Sequence, residues 1–193
     1  MTKLAETKVK CRDDLTKLID DLDLHVGVEI GVDEGFFSDW LLANSNLQVL
    51  HSIDAWSTET EKTLSEYAAR NAKIMADRKQ EYRSGEQDAR ERLSKFGGRS
   101  HIIKAISWEA AGLFEDNSID FIYFDGSHTK DGLGRDIICW LSKIKNGGVI
   151  SGHDYCRKHG YGVIEVVDNF VKSHGLQLHL TRERESPSWW TIK

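Results

Sequence analysis

Val26-Gly27-Val28-Glu29-Ile30-Gly31-Val32-Asp33-Glu34-Gly35, followed by Phe36-Phe37-Ser38-Asp39-Trp40-Leu41-Leu42, decides the reading of this chain. An apolar run is broken by an acid and by two glycines, Gly31 and Gly35, and then gives way to helical spacing. It reads as a buried strand, a tight turn and the first turns of a helix. Glycine permits φ > 0 and removes the Cβ that would hold a ligand away from the main chain. The turn therefore reads as a ligand seat. Its acids, Glu29, Asp33 and Glu34, would repel a pyrophosphate, whereas they suit a ligand with an ammonium, a sulfonium or sugar hydroxyls.

The next apolar run, Val49-Leu50-His51-Ser52-Ile53-Asp54-Ala55-Trp56, ends in an acid. An acid closing the second strand of a βαβ unit can accept from both hydroxyls of a ribose, and Asp54 is that candidate. The same residue type also ends strands for turn reasons alone.

Outward from this unit, strand and helix patterns alternate. Residues 5–22 predict an amphipathic helix, with strands at 26–31, 49–54 and 101–105 and helices at 35–44 and 108–114. A strand at 119–125, a helix at 130–145 stopped by Asn146-Gly147-Gly148, and a strand beginning Val149-Ile150 come next. Helix 162–174 and strands 176–182 and 188–192 close the series. This order predicts a doubly wound, mostly parallel seven-stranded α/β sheet with helices on both faces and an antiparallel edge. The segment 57–99 carries ten Lys or Arg against eight Asp or Glu at helical spacing. Its charges suit a solvated helix face, and so long a crossover also suits a lid or a homodimer contact.

Composition narrows the function classes. One domain is expected from 193 residues with no low-complexity linker, and a net charge of -5 offers no broad basic surface for nucleic acid. No apolar run reaches the ~20 residues of a membrane helix, nor is a signal-peptide core visible, so a cytoplasmic protein is expected. Cys11, Cys139 and Cys156 are odd in number and widely spaced, as in a reducing compartment. His153, Cys156 and His159 have a generic spacing that only weakly suggests zinc.

In an open α/β sheet the ligand lies outside the carboxyl ends of the strands. Those ends here carry Gly31 to Asp33, Asp54, Ser107, Asp125 to His128, and His153-Asp154. Carboxylates with imidazole suit Mg²⁺ or Mn²⁺, or else His128 acts as a general base. The blander reading makes Asp125-Gly126 and Gly152-His153-Asp154 turn residues that satisfy nearby backbone donors. Trp56 and Trp108 follow strand ends, where an aromatic face would cover an adenine or simply pack.

The stretches Val28 to Gly35, Ser52 to Trp56, Asp120-Phe121-Ile122-Tyr123-Phe124-Asp125-Gly126-Ser127-His128 and Gly147 to Tyr155 together resemble a class I S-adenosylmethionine-dependent methyltransferase of Rossmann-like fold. The last two are similar to the metal-assisted small-molecule O-methyltransferases, the sugar and catechol type. The resemblance implies that Glu29 and the Gly31 to Gly35 loop, with Gly31, Val32, Asp33 and Gly35, hold the methionine end of the cofactor, and that Asp125 is also cofactor-binding. It implies Asp54, Ala55 and Trp56 at the ribose and Ile106, Ser107 and Trp108 at the adenine. Asp125, His153 and Asp154 would bind a divalent cation beside a small-molecule or sugar hydroxyl, with Asp125 and His128 catalytic. His153 stands where an acid is usual, which leaves room for a softer metal. The DNA amino-methyltransferase signature is absent, since Pro187 is the chain's one proline. An NAD-dependent oxidoreductase would also use a glycine turn and a distal acid, but G-x-x-x-G is not its G-x-G-x-x-G spacing. A cofactor-binding module without catalysis is the third reading.

Overall fold

Burial on two faces explains the central strands. In β4 (Ile119–Phe124), Ile122 and Phe124 join one apolar cluster and Phe121 and Tyr123 the other, and all four are buried. This is the pattern of a parallel strand covered by helices on both sides. The computed structural model describes residues 9–56, 85–157 and 162–193. The expectations for residues 5–8, for 57–84 and for His159 lie outside the described residues.

Besides β4, the sheet holds β1 (Val26–Ile30), β2 (Val49–Asp54), β3 (Ser100–Lys104), β5 (Ile144–Gly152), β6 (His179–Leu180) and β7 (Trp189–Ile192), in the order β3-β2-β1-β4-β5-β7-β6. β1 to β5 run parallel, β7 is antiparallel to β5, and β6 is antiparallel to β7. The doubly wound seven-stranded sheet with an antiparallel edge is therefore what the chain forms. One face packs α1 (Leu15–Asp21), α2 (Phe36–Asn44) and α3 (residues 85–93), through Leu15, Leu18, Phe37, Leu41 and Leu93. The other packs α4 (Ser107–Ala110), α5 (Lys130–Leu141) and α6 (Val163–His174), through Ala110, Ile137, Trp140, Val167 and Phe170.

Four boundaries differ from expectation. The first helix begins only after Cys11, whose backbone is extended, because the Asp14 carboxylate accepts from the Lys10 and Cys11 amides and closes a single 3₁₀ turn over Arg12–Asp14 before α1. The predicted helix 130–145 ends at Leu141, and Asn146-Gly147-Gly148 is no helix stop. Ile144 already pairs with Ile119 in β5, and the next matched pair is Phe121 with Val149, so 145–148 bulge out of register with Gly147 at φ 84°. The helix at 108–114 is one α turn followed by a 3₁₀ turn, Ala111–Leu113. The strand expected at 176–182 keeps only His179–Leu180. Among the described residues no helix is long and apolar enough to cross a membrane.

Candidate active site

The sheet order turns back between β1 and β4, and the crevice beyond their carboxyl ends is where an open α/β sheet receives a ligand. Gly31 leaves β1 at φ 86°, its amide donating to the Ile53 carbonyl at 2.9 Å. Asp125 leaves β4 beside it, its amide donating to the Ile30 carbonyl at 2.7 Å. A Cβ on Gly31 would stand 2.4 Å from the Asp125 carbonyl oxygen, so only glycine lets the two turns touch.

Asp54 organises the glycine turn. Its carboxylate accepts from the Val32 amide at 2.8 Å and the Asp33 amide at 3.0 Å on one oxygen, and from the Trp56 amide at 2.8 Å on the other. Oδ2 is thereby filled, and Oδ1 retains a lone pair for a further donor. Trp56 is buried, donating its indole N–H to the Asp33 carbonyl at 2.9 Å and packing with Val32 and Ala89 of α3. Gly35 abuts Ala89 as well. The side chains of Val32 and Trp56 thus wall the turn from behind. At the end of β3, Ile106 precedes α4, and the carbonyl and hydroxyl of Ser107 each receive the Trp140 indole N–H at 3.2 Å. The Trp108 ring carries the Arg135 guanidinium 4.2 Å from its centroid.

Glu29 is 2% exposed and accepts from the Ser38 hydroxyl, which also meets Ser52 at 2.7 Å. Burial, opposed by the Ser38 bond, pushes its pKa up to about 8. Asp136 is raised to about 6, again by burial. A carboxyl whose folded pKa exceeds its unfolded value holds extra protons when folded, so stability is greatest at low pH and is lost as pH rises to the folded pKa. For Asp136 that loss is complete near pH 6, so from about 6 to 8 the carboxyl contribution is that of Glu29, while the raised pKa of His128 adds a fall of the same sign that a change at Glu29 leaves in place. Glu29→Gln is therefore expected to abolish a fall in stability of up to about 1.4 kcal/mol per pH unit across that window. Urea unfolding of both proteins at the two ends of the window checks it.

Beyond Asp125 lies a cluster of acids and imidazoles. Single ligand atoms of Asp125, His128 and Asp154 all fall within 4.8 Å of one another. His128 Nε2 is 2.9 Å from Asp154 Oδ2 and 3.5 Å from Asp125 Oδ1. His153 flanks the trio, its Nδ1 3.2 Å from Asp154 Oδ1 and 3.6 Å from Asp125 Oδ1. Of the expected metal ligands, Asp125 and Asp154 lie together with His128, the expected base, and His153 stands beside this trio. A hydrogen bond with Asp125, helped by the charges of Asp125 and Asp154 and opposed by burial, raises the His128 pKa. Asp154 occupies the left-handed region at φ 54°, a conformation uncommon outside glycine and asparagine. The three cysteines are free, and Cys139 packs at the edge of the core.

One residue of the site escaped the sequence. Arg12, from the 3₁₀ turn before α1, sets its guanidinium 3.5 Å from Asp125 Oδ2 and 4.6 Å from the Phe37 ring centroid. Burial works against its charge, but Tyr123, Asp125 and Glu29 outweigh it and hold its pKa above the ordinary value. Arg12 belongs to no periodic pattern, and only the return of the amino-terminal segment over the strand ends brings it here.

A model of the methyltransferase domain family matches residues 28–155. An uncharacterized protein of Sinorhizobium fredii is 31% identical over an alignment of 87 residues that covers 40% of this chain; the chain spans about a tenth of that relative's length (10%). Solved structures agree in fold. A candidate caffeoyl-CoA O-methyltransferase of Staphylococcus aureus superposes with TM-score 0.66 at 16% identity, covering 94% of this chain and 82% of its own. The O-methyltransferase of Bacillus cereus in complex with SAH gives 0.62 at 14%, covering 94% and 80%. An rRNA methylase of Streptococcus thermophilus gives 0.58 at 14%, covering 93% and 91%. With its matched segment running from β1 through the end of β5, the chain belongs to the methyltransferase domain family and has the class I S-adenosylmethionine-dependent methyltransferase fold.

Proposed function

We propose that the protein transfers a methyl group from S-adenosylmethionine to a hydroxyl of a small molecule or sugar. The observation that carries this reading is the double role of Asp125. Its backbone packs on the Gly31 turn while its carboxylate joins His128 and Asp154. A cofactor seat and a hydroxyl-activating group would thereby share one wall.

The residues fit the implied cofactor. The carboxylates of Asp54 and Asp125 suit its ribose hydroxyls, ammonium and sulfonium, and glycine at 31 and 35 leaves the turn without a Cβ at those two positions. They also fit a divalent cation, two carboxylates with an imidazole being a donor set suited to Mn²⁺ and its neighbours more than to Mg²⁺. When bound, the cofactor supplies a methyl on a good leaving group and the cation supplies Lewis acidity to a hydroxyl. The chain's own part is alignment of the hydroxyl with the methyl, exclusion of water and acceptance of the hydroxyl proton. Without a cation, His128 takes that proton and Asp125 and Asp154 stabilise the imidazolium.

Calorimetric titration with S-adenosylmethionine and SAH, with and without Mn²⁺ and with NAD⁺ as control, tests the reading. Binding of the adenosyl compounds supports it; binding of NAD⁺ alone, or of none, rejects it. Mn²⁺ titration of two variants decides the ligand set. Loss of an outer-shell partner of the ligands costs about 10- to 100-fold in affinity and loss of a ligand more, so His128→Ala is expected to weaken Mn²⁺ more than His153→Ala, whose imidazole flanks both carboxylates. The reverse order would return His153 to the metal and His128 to the role of base.

A further inference from the structure

The cofactor implied by the proposed function carries a carboxylate on its methionine end, and the seat described above is acidic. Asp33, Asp54 and Asp125 border the Gly31 turn or its neighbouring strand ends, so the amino-acid carboxylate needs a cation there. Among the described residues two guanidiniums reach the region: Arg92 donates to the Glu34 carbonyl at 2.9 Å and lies over Phe36, at the far end of the turn, whereas Arg12 stands beside Asp125, where the two strand ends meet. It lies against Asp125 at 3.5 Å and over Phe37, in the first turn of α2, at 4.6 Å. Its fork of N–H donors matches a carboxylate in two parallel bonds.

The turn that carries Arg12 is held in position. Its own amide donates to Glu183 Oε1 at 2.5 Å, and the Arg182 amide donates to the Lys10 carbonyl at 2.7 Å. The Trp40 indole of α2 donates to the Asp13 carbonyl at 3.2 Å. The amino-terminal segment is thus strapped to the 182–183 segment on one side and to α2 on the other, with Arg12 between. An arginine fixed at both flanks loses little freedom when it takes up a ligand.

We propose that Arg12 is the binding residue for the carboxylate of the cofactor's methionine end, and that in doing so it leaves Asp125. The proposal rests on the methyltransferase reading above. Before the cofactor arrives, the guanidinium neutralises Asp125. Once it pairs with the ligand's carboxylate, the Asp125 oxygen it faced turns to the ligand's ammonium or to the His128 and Asp154 cluster.

The test compares SAH with its decarboxylated analogue, which keeps the adenosine, the thioether and the amine. Both are titrated calorimetrically into the wild type, Arg12→Gln and Arg12→Lys. Loss of a charge-assisted hydrogen bond predicts a fall of about 10- to 100-fold in SAH affinity for Arg12→Gln. The analogue is expected to stay within about twofold, and Arg12→Lys to fall between, keeping the charge without the fork. Equal losses for both compounds would make Arg12 a structural residue and overturn the proposal, as would no loss for either. Failure of the wild type to bind SAH would instead overturn the methyltransferase reading, and the proposal with it. Urea unfolding of both variants separates a folding defect, which weakens both compounds together, from the carboxylate-specific loss.

Discussion

Asp125→Asn is expected to reduce methyl transfer to a hydroxyl acceptor by about 10²- to 10⁴-fold, the range over which loss of a positioned acid–base group is felt. Its side chain meets Arg12, His128 and His153 within 3.6 Å, so one neutralised carboxylate alters every charge in the cluster. Mn²⁺ affinity should fall in parallel, because the amide offers a weaker donor and no charge. SAH affinity should fall less than turnover, since one contact to the ammonium is weakened while Asp54 and the Gly31 turn are untouched. The fold should barely respond: the side chain is 22% exposed, and pairs in that setting contribute about 0 to 1 kcal/mol. SAH release for turnover, calorimetry for both ligands and urea unfolding read the separate effects. Equal losses of turnover and SAH binding would contradict this division of roles.

Gly31→Ala should be the most damaging small substitution at the site. The new methyl would meet the Asp125 carbonyl oxygen at 2.4 Å and its carbon at 2.5 Å, both backbone atoms, at a residue already held at φ 86°. The carboxyl ends of β1 and β4 would have to part. A cost of about 3 to 5 kcal/mol is expected, the left-handed conformation accounting for about 1 of it. Gly175→Ala is the control. Gly175 closes α6 at φ 64° with nothing within 4 Å of an added Cβ, so only the conformational part remains. Urea unfolding should separate the two variants by about 2 kcal/mol or more, and any folded Gly31→Ala should bind Mn²⁺ poorly because Asp125 has moved.

The sequence made the strand ends legible for a physical reason. A parallel sheet delivers every carboxyl end to one edge, so Gly31, Asp54, Asp125, His128 and Asp154 could be assigned to one crevice from local patterns alone. What local pattern does not carry is which side chain faces which. Asp54 reads the same whether it binds a ribose or the Val32 and Asp33 amides, and Trp56 the same whether it covers an adenine or packs on Ala89. How closely His128 and His153 approach Asp125 and Asp154 depends on how the two loops fold, not on spacing. Gly147 looked like a helix terminator because a bulge and a cap both favour a left-handed glycine. Arg12 was invisible, its neighbours in space being remote in sequence.

Asp125 faces two ways, toward the Gly31 turn and Arg12 on one side and toward His128 and Asp154 on the other. Two ligands that meet on one carboxylate cannot bind independently, and thermodynamic linkage makes their mutual effect reciprocal. The factor by which a cation changes affinity for an amino-acid-bearing ligand is the factor by which that ligand changes affinity for the cation. Inhibitors ranked in the presence of a chelator would therefore fall in a different order from those ranked in Mn²⁺, and most of the reordering should come from whatever each compound places against this one side chain.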